Sequence, residues 1–307
     1  MRTTNPLARR APYALALALL AAASACGNSS SSGDPSHPAA CANNAGVTGE
    51  QTISIESGGL TREFRLFVPA GNDPTSTVPL VLNFHGLGSN AFGQEIYSRM
   101  TDKATAEGFI TAAGEGVEKS WNAGEVCCAP ANQQGVDDVQ FTRDMVARIA
   151  SEYCIDPQRI FATGMSNGGF MSNRLACDAA DLVAAVAPVA SILGLVDCTP
   201  ARPVPILMFN GTLDPLVPYV SAPKSFARWQ GLNACTGTAE TSFANGDASC
   251  ATYTACADDA TTTLCTLEGD GHTWPGAEIL LPQYGNTSTD IDATDAMWDF
   301  FVAHPKP

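Results

Sequence analysis

The chain has 307 residues, 45% of them hydrophobic, and a net charge of −15 from 16 Lys plus Arg against 31 Asp plus Glu. That length and apolar content suit one large domain with a full core. The acidity argues against charge-driven binding to nucleic acid or an anionic membrane, and a charged fraction of only 15% argues against a disordered acidic tail.

Residues 1–25 read as an export signal: Arg2, Arg9 and Arg10 precede an apolar run, Ala11 to Ala25, too short to span a bilayer. Ala23-Ser24-Ala25-Cys26 fits both a small-x-small cleavage site and a lipobox, with Cys26 as the lipidated residue. Lipidation would leave ten cysteines, namely Cys41, Cys127, Cys128, Cys154, Cys177, Cys198, Cys235, Cys250, Cys256 and Cys265. An even number in an exported chain reads as a disulfide framework. Residues 26–40 are the lipid-attachment cysteine and a Ser/Gly/Pro linker, and the folded domain is expected over 41–307.

From there strands and helices alternate. Residues 51–56 and 62–68 form a hairpin turning at Gly58-Gly59. The apolar run 79–85 reads as a strand buried on both faces, followed by a helix from Gln94 to Glu107 and a strand at 109–114. Over 138–153 a helical face carries Phe141, Met145, Val146, Ile149, Ala150 and Tyr153, with Asp137 and Asp138 in its first turn, where capping is the preferred account of the pair. Strand 159–165, helix 167–177 and strands 183–190 and 204–210 follow, then a Cys-rich excursion at 234–262 and a strand at 262–268. The last helix buries Ala293, Ala296, Met297, Phe300 and Phe301. This alternation implies an α/β fold, a mostly parallel sheet with helices on both faces, braced by disulfides.

The sharpest motif is Gly164-Met165-Ser166-Asn167-Gly168, between a strand and a helix, the setting of a nucleophile elbow. A serine hydroxyl needs a base. Of four histidines, His37 lies in the linker, His304 in the C-terminal tail, and His85 at a buried strand end, where it is expected to brace the following loop. His272 lies in a Gly-rich loop after the last strand and is the candidate base. The acid should lie between Ser166 and His272 at a strand end. Asp214, after strand 205–210 and before Pro215, fits best; Glu268, Asp270 and Asp138 are rivals. Oxyanion donors are expected from the backbone N–H of Asn167 and of Leu87, with Gly88 as the alternative to Leu87. Trp274 and Trp121 are candidates for a substrate-binding wall, although packing is as good an account of Trp121. Cys127 and Cys128 are expected to bridge separate partners, and Cys235–Cys256 and Cys250–Cys265 are plausible pairs. No cofactor and no metal are expected.

These motifs together resemble the secreted polyhydroxybutyrate depolymerase-like and feruloyl esterase family of α/β-hydrolases. The resemblance runs over about residues 45–304 through Gly164–Gly169, Arg174-Leu175-Ala176-Cys177, Asn210–Pro215, Gly271–Gly276, Val136–Val139 and Trp298–Phe301. It departs from the family's pattern at Asn210, often His, and at Leu87, Cys in some relatives. The resemblance implies an α/β-hydrolase fold and a serine carboxylic-ester hydrolase with Ser166, Asp214 and His272 as triad. Its substrate would be a hydroxycinnamoyl or acetyl polysaccharide or a hydroxyalkanoate oligomer. With no substrate-binding domain read after the catalytic one, soluble esters or oligomers are favoured over crystalline polymer. An acyltransferase using the same site, or a carbohydrate-binding surface lipoprotein on a relic hydrolase fold, are the alternatives; a peptidase or lipase ranks below them. A monomer is expected, extracellular or lipid-anchored at the cell envelope, touching membrane only through the anchor.

Overall fold

The structure is a computed structural model that describes residues 46–307. The signal segment, Cys26, the linker with His37, and Cys41 lie outside the described residues. All described residues belong to one unit, 37–307.

The hairpin forms as expected, from β1 (Gly49–Ser57) and β2 (Leu60–Val68). Next come β3 (Val78–Phe84), α1 (Ala91–Ser98), α2 (Met100–Glu107), β4 (Ile110–Gly114), the short α3 (Ala131–Gln134) and α4 (Asp138–Ala150). β5 (Ile155–Met165), α5 (Asn167–Asp178), β6 (Ala185–Val189), β7 (Ile206–Gly211) and α6 (Ala222–Leu232) follow. β8 (Glu240–Asn245), β9 (Ala248–Tyr253), β10 (Thr262–Leu267) and α7 (Ala293–Ala303) complete the order. The strands make one ten-stranded sheet, β1-β2-β4-β3-β5-β6-β7-β10-β9-β8. Its six central strands, from β4 to β10, pair in parallel, and antiparallel strands extend both edges.

Of the central strands, β3, β4, β6 and β7 are buried throughout because both faces are covered. Side chains alternate between two cores. Leu80, Leu82 and Phe84 of β3, with Ile206 and Met208 of β7, join Phe141, Met145, Leu175 and Trp229 on the face of α4, α5 and α6. Val81, Phe161, Leu207 and Phe209 point the other way, to Tyr97, Met100, Met297 and Phe301 of α1, α2 and α7. There Phe161 stacks on Phe301 at 4.6 Å and Phe109 on Trp298 at 4.3 Å. Each such aromatic contributes roughly 1.5–3 kcal/mol by burial.

Four local expectations change. The helix expected over 94–107 is two helices broken at Arg99, which takes a left-handed conformation (φ 53°). From there its guanidinium reaches Glu278 and Asp292, the latter being the N-cap of α7. The Cys-rich excursion supplies the hairpin β8–β9, clipped to β10 by Cys250–Cys265 directly across the ladder. Asp137 caps α4 by accepting from Gln140 N, but Asp138 does not share that task. It is fully buried, 2.8 Å from Arg62 Nη2, and accepts from Asn122 N at 2.7 Å. Cys127 and Cys128 are joined to each other rather than to separate partners. Their loop turns inward there: Cys127 O accepts from Ala123 N and Cys128 N donates to Trp121 O. Cys177–Cys198 and Cys235–Cys256 are the remaining pairs among the described residues, and Cys154 is disulfide-bonded as well.

Candidate active site

Parallel strands end on one edge of the sheet, and each candidate residue follows such an end. His85 follows β3, Ser166 follows β5, Asp214 lies beyond β7 and His272 beyond β10.

Ser166 has φ 54° and ψ −123°, a strained conformation for a residue with a side chain, of the kind held only where its surroundings enforce it. Close packing does so here. A methyl group on Gly164 would stand 2.5 Å from Phe84 O and 2.6 Å from Gly168 C, and one on Gly169 2.5 Å from Ser191 Oγ. Ser166 N donates to Val189 O at 2.9 Å, and Ser166 O accepts from Phe170 N at 2.8 Å as α5 begins. The hydroxyl thus stands at the positive end of a twelve-residue helix.

His272 Nδ1 lies 2.7 Å from Asp214 Oδ2, and both side chains are almost wholly buried. The other oxygen of Asp214 accepts from Leu216 N and Val217 N, each at 2.8 Å. Three hydrogen bonds therefore hold the carboxylate and, through it, the imidazole. His272 N donates to Tyr284 O at 2.7 Å, and the Tyr284 ring lies edge-on to the imidazole at 6.2 Å. None of the three rival acids reaches His272. Glu268 accepts from Thr212 Oγ1, Asp138 is paired with Arg62, and Asp270 receives the backbone N–H of Ser288. Asp270 is distinctive for another reason. Burial, reinforced by Asp247 and Asp290, pushes its carboxyl up to about 6, and its Oδ2 has no hydrogen-bond partner among the described residues.

The loop after β3 leans on the elbow: a methyl on Gly86 would lie 3.5 Å from Ser166 Cβ. Gly88 N is already committed to Lys119 O at 2.9 Å, whereas Leu87 N donates to no group among the described residues. Asn167 is the first residue of α5, so its N–H has no acceptor within the helix. His85 is buried, and desolvation lowers its pKa to about 4. It is neutral near pH 7, with Nε2 accepting from Gly116 N at 3.0 Å and Nδ1–H donating to Gly86 O at 2.8 Å.

Trp121 and Trp274 do not form a wall open to substrate. They are 0% and 1% exposed. The Trp121 indole N–H donates to His85 O at 2.9 Å and that of Trp274 to Thr294 Oγ1 at 3.0 Å. Each ring fills one of the two cores, because the partners that bury it come from distant segments. The role of the Asn167 side chain was not visible in the sequence. Its Oδ1 accepts from Trp121 N at 2.7 Å and its Nδ2 donates to Trp121 O at 3.0 Å. Among the described residues, no group of three or more His, Cys, Asp or Glu is arranged to hold a metal, and no helix is long and apolar enough to cross a membrane.

Comparison with known proteins adds its relatives. Feruloyl esterase B of Piromyces equi is 36% identical over 228 residues, 66% of this chain and 41% of that protein. This chain has an α/β-hydrolase fold and is similar in sequence to feruloyl esterases. The inferred esterase NocK of Nocardia uniformis subsp. tsuyamanensis is 28% identical over 94% of this chain and 97% of its own length. The acetyl xylan esterase from Aspergillus awamori superposes with a TM-score of 0.61 at 16% identity, covering 82% of this α/β-hydrolase and 99% of that chain, a likeness of fold. The profile of the prolyl oligopeptidase family matches residues 114–200, the stretch from the end of β4 past the elbow and β6. The chain spans less than half of Feruloyl esterase B and nearly all of NocK.

Proposed function

We propose that this α/β-hydrolase cleaves carboxylic esters through an acyl-enzyme on Ser166, with His272 as general base and Asp214 as its orienting acid. The observation that carries the proposal is the buried 2.7 Å contact of Asp214 with His272, on the strand edge that also presents Ser166 in its strained elbow. Ser166 Oγ attacks the ester carbonyl carbon while His272 Nε2 takes its proton. The carbonyl oxygen, now negative, is received by the N–H groups of Asn167 and Leu87. Collapse expels the alcohol, which leaves with the proton from His272. Water then adds to the acyl carbon by the same relay and releases the acid. Asp214 accepts the Nδ1–H, which keeps Nε2 free to receive the serine proton, and stabilises the imidazolium.

The substrates would be hydroxycinnamoyl or acetyl esters of polysaccharides, carried over from relatives named as feruloyl and acetylxylan esterases. The disulfides among the described residues suit an oxidising compartment. We read residues 1–25 as the export signal, Cys26 as the site of a lipid anchor and 41–307 as the catalytic domain, which the mass of the processed protein tests. Ser166→Ala tests the chemistry. It should abolish hydrolysis of p-nitrophenyl acetate and methyl ferulate while the circular dichroism spectrum stays that of the wild type, and unchanged turnover refutes the assignment.

A further inference from the structure

We infer that Trp121 is a positioning residue that sets the spacing of the two oxyanion donors, its side chain holding one half of the hole and its backbone the other. The inference rests on the ester-hydrolase reading above.

The two donors belong to segments about eighty residues apart in sequence, Leu87 on the loop after β3 and Asn167 at the start of α5. Gly168 packs under the carbonyls of Phe84 and His85, so the two segments already touch. Trp121 adds directional hydrogen bonds to both. Its indole N–H donates to His85 O, the carbonyl that opens the Leu87 loop. Its own N–H and C=O are gripped by the side chain of Asn167, the residue whose backbone N–H would face the oxyanion. This two-bond clasp imitates a strand pair.

Trp121 is itself immobilised. Its ring meets Phe84 edge-on at 5.1 Å and lies parallel to Phe141 at 6.3 Å. A methyl on Gly114 would stand 3.0 Å from its Cη2. The next residue, Asn122, is pinned through its N–H by Asp138 at 2.7 Å and through its carbonyl by Arg174 at 2.5 Å. On the far side, His85 holds the same loop through Gly86 O and Gly116 N. The donors are thus set by a continuous chain of hydrogen bonds before substrate arrives, the condition under which an oxyanion hole is effective. A merely structural tryptophan would need only the packing.

The test separates positioning from packing. A short alkyl trifluoromethyl ketone reports the hole directly: Ser166 Oγ adds to the carbonyl carbon, the hydroxyl proton passes to His272, and the ketone oxygen becomes the bound oxyanion. Trp121→Phe removes the indole N–H and keeps an aromatic ring. Asn167→Ala removes the clasp and keeps the backbone N–H. Phe141→Leu loosens the packing on Trp121 and touches none of these hydrogen bonds. Both Trp121→Phe and Asn167→Ala should weaken the ketone about tenfold or more and lower kcat in proportion, with KM for p-nitrophenyl acetate within about twofold. Phe141→Leu should lower Tm and leave ketone affinity within about twofold. Should Trp121→Phe fail to fold, Asn167→Ala decides. Ketone affinity that survives in these variants, or that merely tracks Tm across all three, overturns the inference while the hydrolase reading stands. Wild-type protein that forms no ketone adduct overturns both.

Discussion

Gly168 lies so close under the end of β3 that a methyl group on it would overlap the carbonyl of Phe84 and stand 2.7 Å from His85 O. The elbow and the β3 loop are therefore in backbone contact. A side chain at either glycine of the elbow would push apart the segments that carry Ser166 and Leu87. Gly168→Ala is expected to cost about 1–3 kcal/mol or more and to lower kcat further than the stability loss explains. Urea unfolding beside steady-state kinetics checks both. A variant as stable and active as wild type would mean that the elbow tolerates displacement.

Asp214→Asn has a defined outcome because one carboxylate oxygen is held by Leu216 N and Val217 N. In the variant the amide oxygen must keep that position, so the NH₂ group faces His272 Nδ1. The imidazole then carries its proton on Nε2 and cannot accept from Ser166. We expect kcat to fall by about 10⁴ with the fold retained. A loss of only a few fold in pre-steady-state acylation would remove Asp214 from the relay.

Asp270 makes a pH-dependent prediction. Its carboxyl titrates near 6 in the folded protein, raised from 3.8 by burial and by Asp247 and Asp290. Between about pH 4 and 6 the folded state holds more protons at this group than the unfolded state, so its contribution falls as pH rises through that window and stays unfavourable above it. Asp270→Asn keeps an acceptor for Ser288 N and removes the charge. Its Tm should exceed that of wild type at pH 7–8, the gain shrinking from pH 6 and vanishing below about pH 4. A difference independent of pH would contradict the assignment.

The buried Arg62–Asp138 pair should show strong coupling. Arg62 also donates to Glu115 O at 3.0 Å, and its guanidinium lies 3.9 Å from the centroid of the Phe141 ring. Burial pushes the Asp138 carboxyl up despite the opposing pull of Arg62. Arg62→Met or Asp138→Asn alone should cost about 3–5 kcal/mol, since each leaves a buried group without its partner, and the double variant should cost clearly less than the sum. Additive losses in a double-mutant cycle would show that the pair is not coupled.

Much of this molecule was legible along the chain. The alternation of strands with helices, the continuous apolar run of β3 and the helical face of α4 are local patterns, and they foretold a parallel sheet covered on both sides. Gly164-x-Ser166-x-Gly168 marked the sharp turn after β5, because only glycine fits where Phe84 and the start of α5 meet the backbone. Side-chain surroundings were another matter. Trp274 is buried with help from Tyr97, 177 residues away, and Arg99 breaks its helix where it can pair with Asp292, 193 residues away. Asp214 was preferred from its strand-end position, but the pairing of Cys127 with Cys128 and the clasp of Asn167 on Trp121 were decided only by the folded chain. Local spacing dictates backbone form, whereas the partner of a side chain depends on which remote segments the sheet brings alongside it.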